Sequence, residues 1–306
     1  MSREYAKTVE LVLEILPYAL KDNRMALKGG TAINLFHRDF DRLSVDIDLC
    51  YLPLESRTET FKNIYEILKG IKVELEGKLN LEVVSNHPFD CGKEIKLIAR
   101  KGDIEVKIEP NYTLRSSLFD PELIGLSPLA QERFGVEVEV QCLGLADTYG
   151  GKICAALDRQ HPRDLFDVKR LLDNEGITRD IKDSFLFYLL SHNRPINEFL
   201  DPRFKVINNE YENEFLTMAN TETSLEELLK ARSQLIEDLK TKITLEDKEF
   251  LISFVSNKPD WSKARDSKIK DFPSVKWKMM NQEKMNETKL NRYIQNVMKA
   301  LEIEMN

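Results

Sequence analysis

Apolar side chains recur through residues 3–20 at Tyr5, Val9, Val12, Leu13, Leu16 and Leu20. That is the 3.6-residue period of an amphipathic helix, with Pro17 disturbing its last turn. Met25 to Thr31 is a short run broken by Gly29 and Gly30, and a second helical pattern spans Ala32 to Arg38. Leu43 to Leu52 then alternates strictly. Leu43, Val45, Ile47, Leu49 and Tyr51 share one face, and Ser44, Asp46, Asp48 and Cys50 share the other, which predicts a β-strand with one buried side. Helical spacing returns over residues 57–70 at Phe61, Ile64, Ile67 and Leu68. Glu94–Arg100 and Ile104–Glu109, joined by Lys101-Gly102-Asp103, predict a hairpin whose second strand ends at Pro110. Residues 135–142 predict one more strand.

Past Leu143 the β signal stops. Helices are expected over residues 146–159, 162–172, 181–190, 225–239, 245–255 and 290–303, with residues 200–212 and 256–278 irregular. The whole pattern predicts an α+β protein: a mixed-sheet α/β domain over residues 1–143 and a helical domain over residues 144–306. A length of 306 residues agrees with two domains of roughly 150 each.

Hydrophobic residues make up 42% of the chain and charged residues 32%, enough apolar material for a core and too much for a disordered protein. No apolar run approaches the roughly 20 residues needed to span a bilayer. Residues 1–20 carry Glu4, Lys7, Glu10 and Glu14, so neither a secretory signal nor a membrane helix is expected, and the chain reads as soluble and cytoplasmic. The net charge of −7 argues against nucleic-acid binding over the whole surface. Locally the balance reverses: residues 258–299 hold eleven Lys or Arg against five Asp or Glu, with Trp261, Trp277 and Tyr293 among them, a composition able to meet phosphates and stack on unpaired bases. Cys50, Cys91, Cys142 and Cys154 lie far apart, and His37, His87, His161 and His192 form no ligand spacing with them. Zinc sites and disulfide frameworks are therefore not expected, and reduced, buried thiols are.

The alternating strand carries the candidate chemistry. Asp46 and Asp48 stand two apart, with Cβ atoms about 6–7 Å from one another. Carboxylates at that spacing can hold divalent cations, and Mg²⁺, which takes a few carboxylates plus substrate phosphate oxygens, is the natural occupant. Gly29-Gly30-Thr31 lies just ahead of a helix, where free backbone N–H groups can hold phosphate and glycine allows close approach. Glu109, at the end of a later strand, could supply a third carboxylate if that strand pairs beside Asp46 and Asp48; Glu105 competes for the same role.

This order of Gly-Gly turn, helix, Asp-x-Asp strand and later acidic strand resembles the nucleotidyltransferase superfamily of polymerase-β type, with a slightly long gap from Gly30 to Asp46. More closely, Lys28-Gly29-Gly30-Thr31-Ala32-Ile33-Asn34-Leu35 followed by Arg42-Leu43-Ser44-Val45-Asp46-Ile47-Asp48-Leu49 resembles the AbiEii/AbiGii family of nucleotidyltransferase-like toxins. The likeness continues through Lys152, Arg159 and Pro162-Arg163-Asp164-Leu165-Phe166-Asp167. It implies a nucleotidyltransferase-like N-terminal domain in which Asp46, Asp48, Lys152 and Asp167 are catalytic and Asp46, Asp48 and Glu109 bind metal. Lys28, Gly29, Gly30, Thr31, Arg42 and Ser44 would bind substrate, Lys152 would contact the triphosphate, and Asp167 would position that lysine or the acceptor. By pattern alone Lys152 reads as a surface lysine beside the apolar face of Leu145, Tyr149, Ile153 and Ala156. Asp164 reads as a first-turn carboxylate, and Asp167 as an ion-pair partner of Arg163. The activity implied is Mg²⁺-dependent transfer of a nucleoside monophosphate from an NTP to an RNA 3′ end, with tRNA the expected acceptor and a separate antitoxin as partner. Transfer to a protein or small molecule, or a non-catalytic helical interaction protein, are the alternative readings.

Overall fold

A computed structural model describes residues 3–89 and 92–303; Cys91 lies outside them. The chain forms two compact units, one of residues 1–148 with 213–222, the other of residues 149–212 and 223–306. Among the described residues no helix is long and apolar enough to cross a membrane.

The first unit is α+β. Its elements are α1 (Arg3–Ala19), β1 (Met25–Lys28), α2 (Gly29–Ala32), β2 (Ile47–Tyr51), α3 (Arg57–Leu79), β3 (Glu82–Ser85), β4 (Leu97–Lys101), β5 (Ile104–Asn111), β6 (Glu122–Gly125), α4 (Pro128–Phe134) and β7 (Glu139–Cys142). The seven strands make one mixed sheet in the order β3-β4-β5-β2-β1-β7-β6. β2 pairs parallel with β5 and β1 parallel with β7, while the remaining pairs are antiparallel. The buried faces of α1 (Val9, Val12, Leu16) and α3 (Ile64, Leu68, Leu75) join Leu27, Leu49, Leu97 and Ile108 in one apolar core.

Several expectations are corrected here. α2 begins at Gly29, not Ala32, and continues as a π-helical turn over Ile33–His37. The alternating run from Leu43 to Leu52 contributes only Ile47–Tyr51 to the sheet. Residues 41–43 bond elsewhere: Arg42 bridges Ala219, the Leu43 N–H donates to the Met218 carbonyl at 2.8 Å, and the Asn220 N–H donates to the Asp41 carbonyl at 3.1 Å. Cys50 is not on a polar face. It is buried with Ala26 and Leu143, and burial pushes its thiol up to about 11. Pro110 does not end β5, which runs one residue further, with Pro110 opposite Leu49. α3 extends to Leu79, nine residues beyond its expected end, and stops where Asn80 turns left-handed. The last strand of the sheet covers Glu139–Cys142 alone, because Gly135, at positive φ, caps α4.

The second unit contains most of α5 (Leu145–Asp158), then α6 (Pro162–Asn174), α7 (Arg179–Ser191), α8 (Asn197–Leu200), α9 (Asn208–Glu210), α10 (Leu225–Lys242), α11 (Leu245–Val255), α12 (Pro273–Glu283) and α13 (Glu287–Ala300). α10 and α11 open with reciprocal capping boxes, Ser224 with Glu227 and Thr244 with Asp247. A Cβ at Gly150 would stand 2.7 Å from the backbone of Ser184, so glycine there lets α5 and α7 touch. α12 falls across the stretch expected to be irregular, with Pro273 at its first turn. Cys142 and Cys154 are free and buried like Cys50.

Met218 is buried in the core of the first unit although it follows α9 in the chain. Met218→Ala is expected to cost about 2–5 kcal/mol in urea unfolding, as for other buried large-to-small changes.

Candidate active site

The glycine turn is built around its neighbours. Gly29 has φ +73°, and a Cβ there would collide with the Asp48 carboxylate. A Cβ on Gly30 would lie 2.8 Å from Ser44 Oγ and 2.9 Å from Arg42 Nη2. Side chains at 29 and 30 would thus fill the space in which Asp48, Ser44 and Arg42 meet the backbone. The antiparallel register of β1 and β2 sets Lys28 opposite Asp48. Thr31, fully buried, donates from its hydroxyl to the Asp46 carbonyl and shares a hydrogen bond with Ser44 Oγ at 3.0 Å, which ties the loop before β2 to the turn. Arg42 is buried too, and its Nη1 donates to the Leu43 carbonyl at 2.7 Å.

β5 lies beside β2 as the third-carboxylate idea requires, with Glu109 opposite Asp48. In a parallel pair, opposed residues project to the same face. Glu109 is engaged by a residue that pattern reading passed over: Lys96 Nζ stands 2.8 Å from its Oε1. The hydrogen bond to Glu109 raises the Lys96 ammonium above its ordinary pKa, and the charge of Asp46 adds to the effect. The signal for Lys96 was present in the hairpin, since a turn that pairs Lys101 with Ile104 carries the same register back to Lys96 and Glu109. Glu105, the competitor, is bonded to Arg100 at 3.1 Å. Among the described residues no three acidic, His or Cys side chains are gathered closely enough to hold a metal ion as they stand. The donor chemistry nevertheless suits one: the carboxylate of Asp48, against the Gly29 backbone, and that of Asp46, two residues earlier, offer hard oxygen ligands for a cation such as Mg²⁺.

Lys152, Asp164 and Asp167 form a second group, in the helical unit. Lys152 is not a surface lysine. It is 7% exposed, with Nζ 2.8 Å from Asp164 Oδ1 and 3.0 Å from Asp167 Oδ2. Pattern reading underrated Asp164, which also receives Arg159 Nε at 2.6 Å and Nη2 at 3.0 Å. Burial alone would raise the Asp164 pKa; the charges of Lys152 and Arg159 outweigh it and hold the carboxyl well below the usual range. α6 supplies both carboxylates from its buried face, three residues apart, an arrangement that fits one cation between successive turns.

Of the aromatics in the basic stretch, Trp261 packs on Phe250 and Phe254, and the Tyr293 hydroxyl accepts from the Ile196 N–H in the interior. Trp277 alone of the three is largely open, 54% exposed, with Lys284 Nζ 6.0 Å from its ring centre.

A sequence model described as "Nucleotidyl transferase AbiEii toxin, Type IV TA system" matches residues 11–281. The chain belongs to this family. It is accordingly a nucleotidyltransferase toxin of a type IV toxin–antitoxin system, which implies an NTP and an antitoxin among its partners. The fold agrees. MenT4, a nucleotidyltransferase toxin from Mycobacterium tuberculosis, superposes with a TM-score of 0.61 at 14% identity, over 91% of this chain and 93% of that one. A sequence search of curated proteins found no match.

Two outcomes follow for a family member built this way. Gly29→Ala is expected to lower stability by about 1–2 kcal/mol, the cost of a left-handed side-chain-bearing residue, and nucleotidyl transfer by about tenfold or more as Asp48 is displaced, read by thermal unfolding and label incorporation. Asp164→Asn is expected to cost about 3 kcal/mol at pH 7, because a buried cation loses one of its two carboxylates. A carboxyl with a depressed folded pKa stabilises above its unfolded value near 3.9 and ceases to do so as pH falls through the folded one. The stability gap between parent and variant is therefore expected to narrow progressively below about pH 4 in urea titrations.

Proposed function

We propose that this toxin transfers a nucleoside monophosphate from an NTP to the 3′ hydroxyl of an RNA, with tRNA as the acceptor, in a Mg²⁺-dependent reaction in the cytoplasm. The observation that carries the reading is the crowding of Asp48, Ser44 and Arg42 onto the Gly29-Gly30 backbone. Glycine at both positions lets one carboxylate, one hydroxyl and one guanidinium meet the main chain at the start of a helix, a grouping suited to a phosphate and its cation. In this reading Gly29, Gly30 and Thr31 receive phosphate oxygens with Arg42 and Ser44, Lys28 adds positive charge, and Asp46 and Asp48, with Glu109 as third carboxylate, hold the cation. A divalent ion bound there neutralises phosphate charge and lowers the pKa of the attacking hydroxyl. Lys152 stabilises charge on the pyrophosphate leaving group, and Asp164 and Asp167, both hydrogen-bonding range from it, fix its ammonium. The RNA acceptor is supported by the family resemblance and by the basic stretch around exposed Trp277.

Incubating the protein with each labelled NTP and total RNA tests the reading. Label is expected in the RNA fraction, reduced about 10²–10³-fold or more by Asp46→Ala and by Lys152→Ala. Label in protein or small molecules instead would move the acceptor; undiminished labelling by Asp46→Ala would discard the site.

A further inference from the structure

The loop that brings Arg42 to the glycine turn is tied there at its far end, where Ser44 shares a hydrogen bond with Thr31. Three residues past the end of the π-helical turn stands Phe40, whose φ of +60° is a left-handed conformation that a bulky side chain disfavours. Phe40 is buried against Phe134 with ring centres 5.5 Å apart, and its N–H donates to the Asn34 carbonyl at 2.9 Å. Its carbonyl and the three residues that follow are bonded by one short strap from far along the chain. Asn220 Nδ2 donates to the Phe40 carbonyl at 2.6 Å, the Asn220 N–H donates to the Asp41 carbonyl at 3.1 Å, and the Met218 carbonyl accepts from the Leu43 N–H at 2.8 Å. Ala219, between them, makes the bridge to Arg42. The strap is anchored by the buried Met218 side chain, whereas Asn220 is exposed and makes no core contact that would explain both of its bonds.

We infer that Asn220 is a positioning residue for NTP binding, acting through Phe40 and Asp41 on Arg42. The inference rests on the assignment of Arg42 to the nucleotide site. It also separates two parts of that site. Ser44 and Asp46 are both tied to Thr31 and lead directly into β2, so they stay in place when the strap lets go, while residues 40–43, and with them Arg42, lose their hold. Loss of the strap bonds therefore weakens nucleotide capture and spares the chemical step.

Asn220→Ala removes one of the three bonds. Asn220→Pro removes two, at a place outside any helix, where Ala219 makes an isolated bridge. The NTP KM is expected to rise about threefold in the first and about tenfold in the second, with kcat within about twofold and the melting temperature of Asn220→Ala close to that of the parent. In an Arg42→Ala background Asn220→Ala is expected to add nothing further, because both changes act through the same loop. Unchanged KM in Asn220→Ala, or a full additional effect on top of Arg42→Ala, would overturn the inference. If Asn220→Pro fails to fold, Asn220→Ala alone decides. Asp46→Ala run alongside keeps the cases apart: full activity in that control refutes the site itself, whereas an inactive control with a normal Asn220→Ala enzyme refutes only the strap.

Discussion

Two missing side chains govern the first unit. With hydrogen in place of Cβ at residues 29 and 30, the carboxylate of Asp48, the hydroxyl of Ser44 and the guanidinium of Arg42 can all approach one stretch of backbone. The sheet then determines what surrounds that point. β1 ends at Lys28 and leads straight into the turn, β2 delivers Asp48 opposite it, and β5 brings Glu109 alongside from the other flank. A strand slipped by one residue would turn Asp48 to the opposite face, so the apolar partners Leu27, Leu49 and Ile108 that fix the register also fix the site. Core packing and chemistry are here one constraint seen from two faces of the same strands.

The helical unit solves a different problem, that of an ammonium removed from water. Lys152 is retained in the interior by two carboxylates of α6, and the second charge on that pair of acids is met by Arg159, whose side chain reaches the surface. The result is a balanced set of four charges with three of them buried. Such an arrangement adds little net stability compared with an apolar equivalent, but it orients the lysine firmly, since any rotation leaves a buried acid unmatched.

Much of this was legible in the order of residues. The alternation around Asp46 and Asp48, the Gly-Gly turn and the hairpin centred on Gly102 located the sheet centre, and the periodic apolar stripes located most helices. What failed did so for identifiable reasons. β3 and β6 are four-residue strands at the two margins of the sheet, too short to show a period. The alternation at 43–46 is real but belongs to a loop, because Leu43 bonds to Met218 while Ser44 and Asp46 bond to Thr31, and no local pattern announces such partners. α12 buries Lys278 among its inward residues, the Nζ capping the carbonyls of Leu189, His192 and Arg194, so its stripe is broken by a charge. Lys152 was misread for the same reason: a cation on a helix counts as polar until its acids are found, and they lie on a different helix.

The strap also imposes an order in time. Phe40 and Asn220 are 180 residues apart, so the loop it closes is left open through most of synthesis. At ribosomal rates of about 5–20 residues per second the interval is on the order of ten seconds or more. A nascent chain that already displays the strands bearing Asp48 and Glu109 still lacks the strap on residues 40–43, and that loop is fully bonded only once the distal part of the polypeptide has emerged.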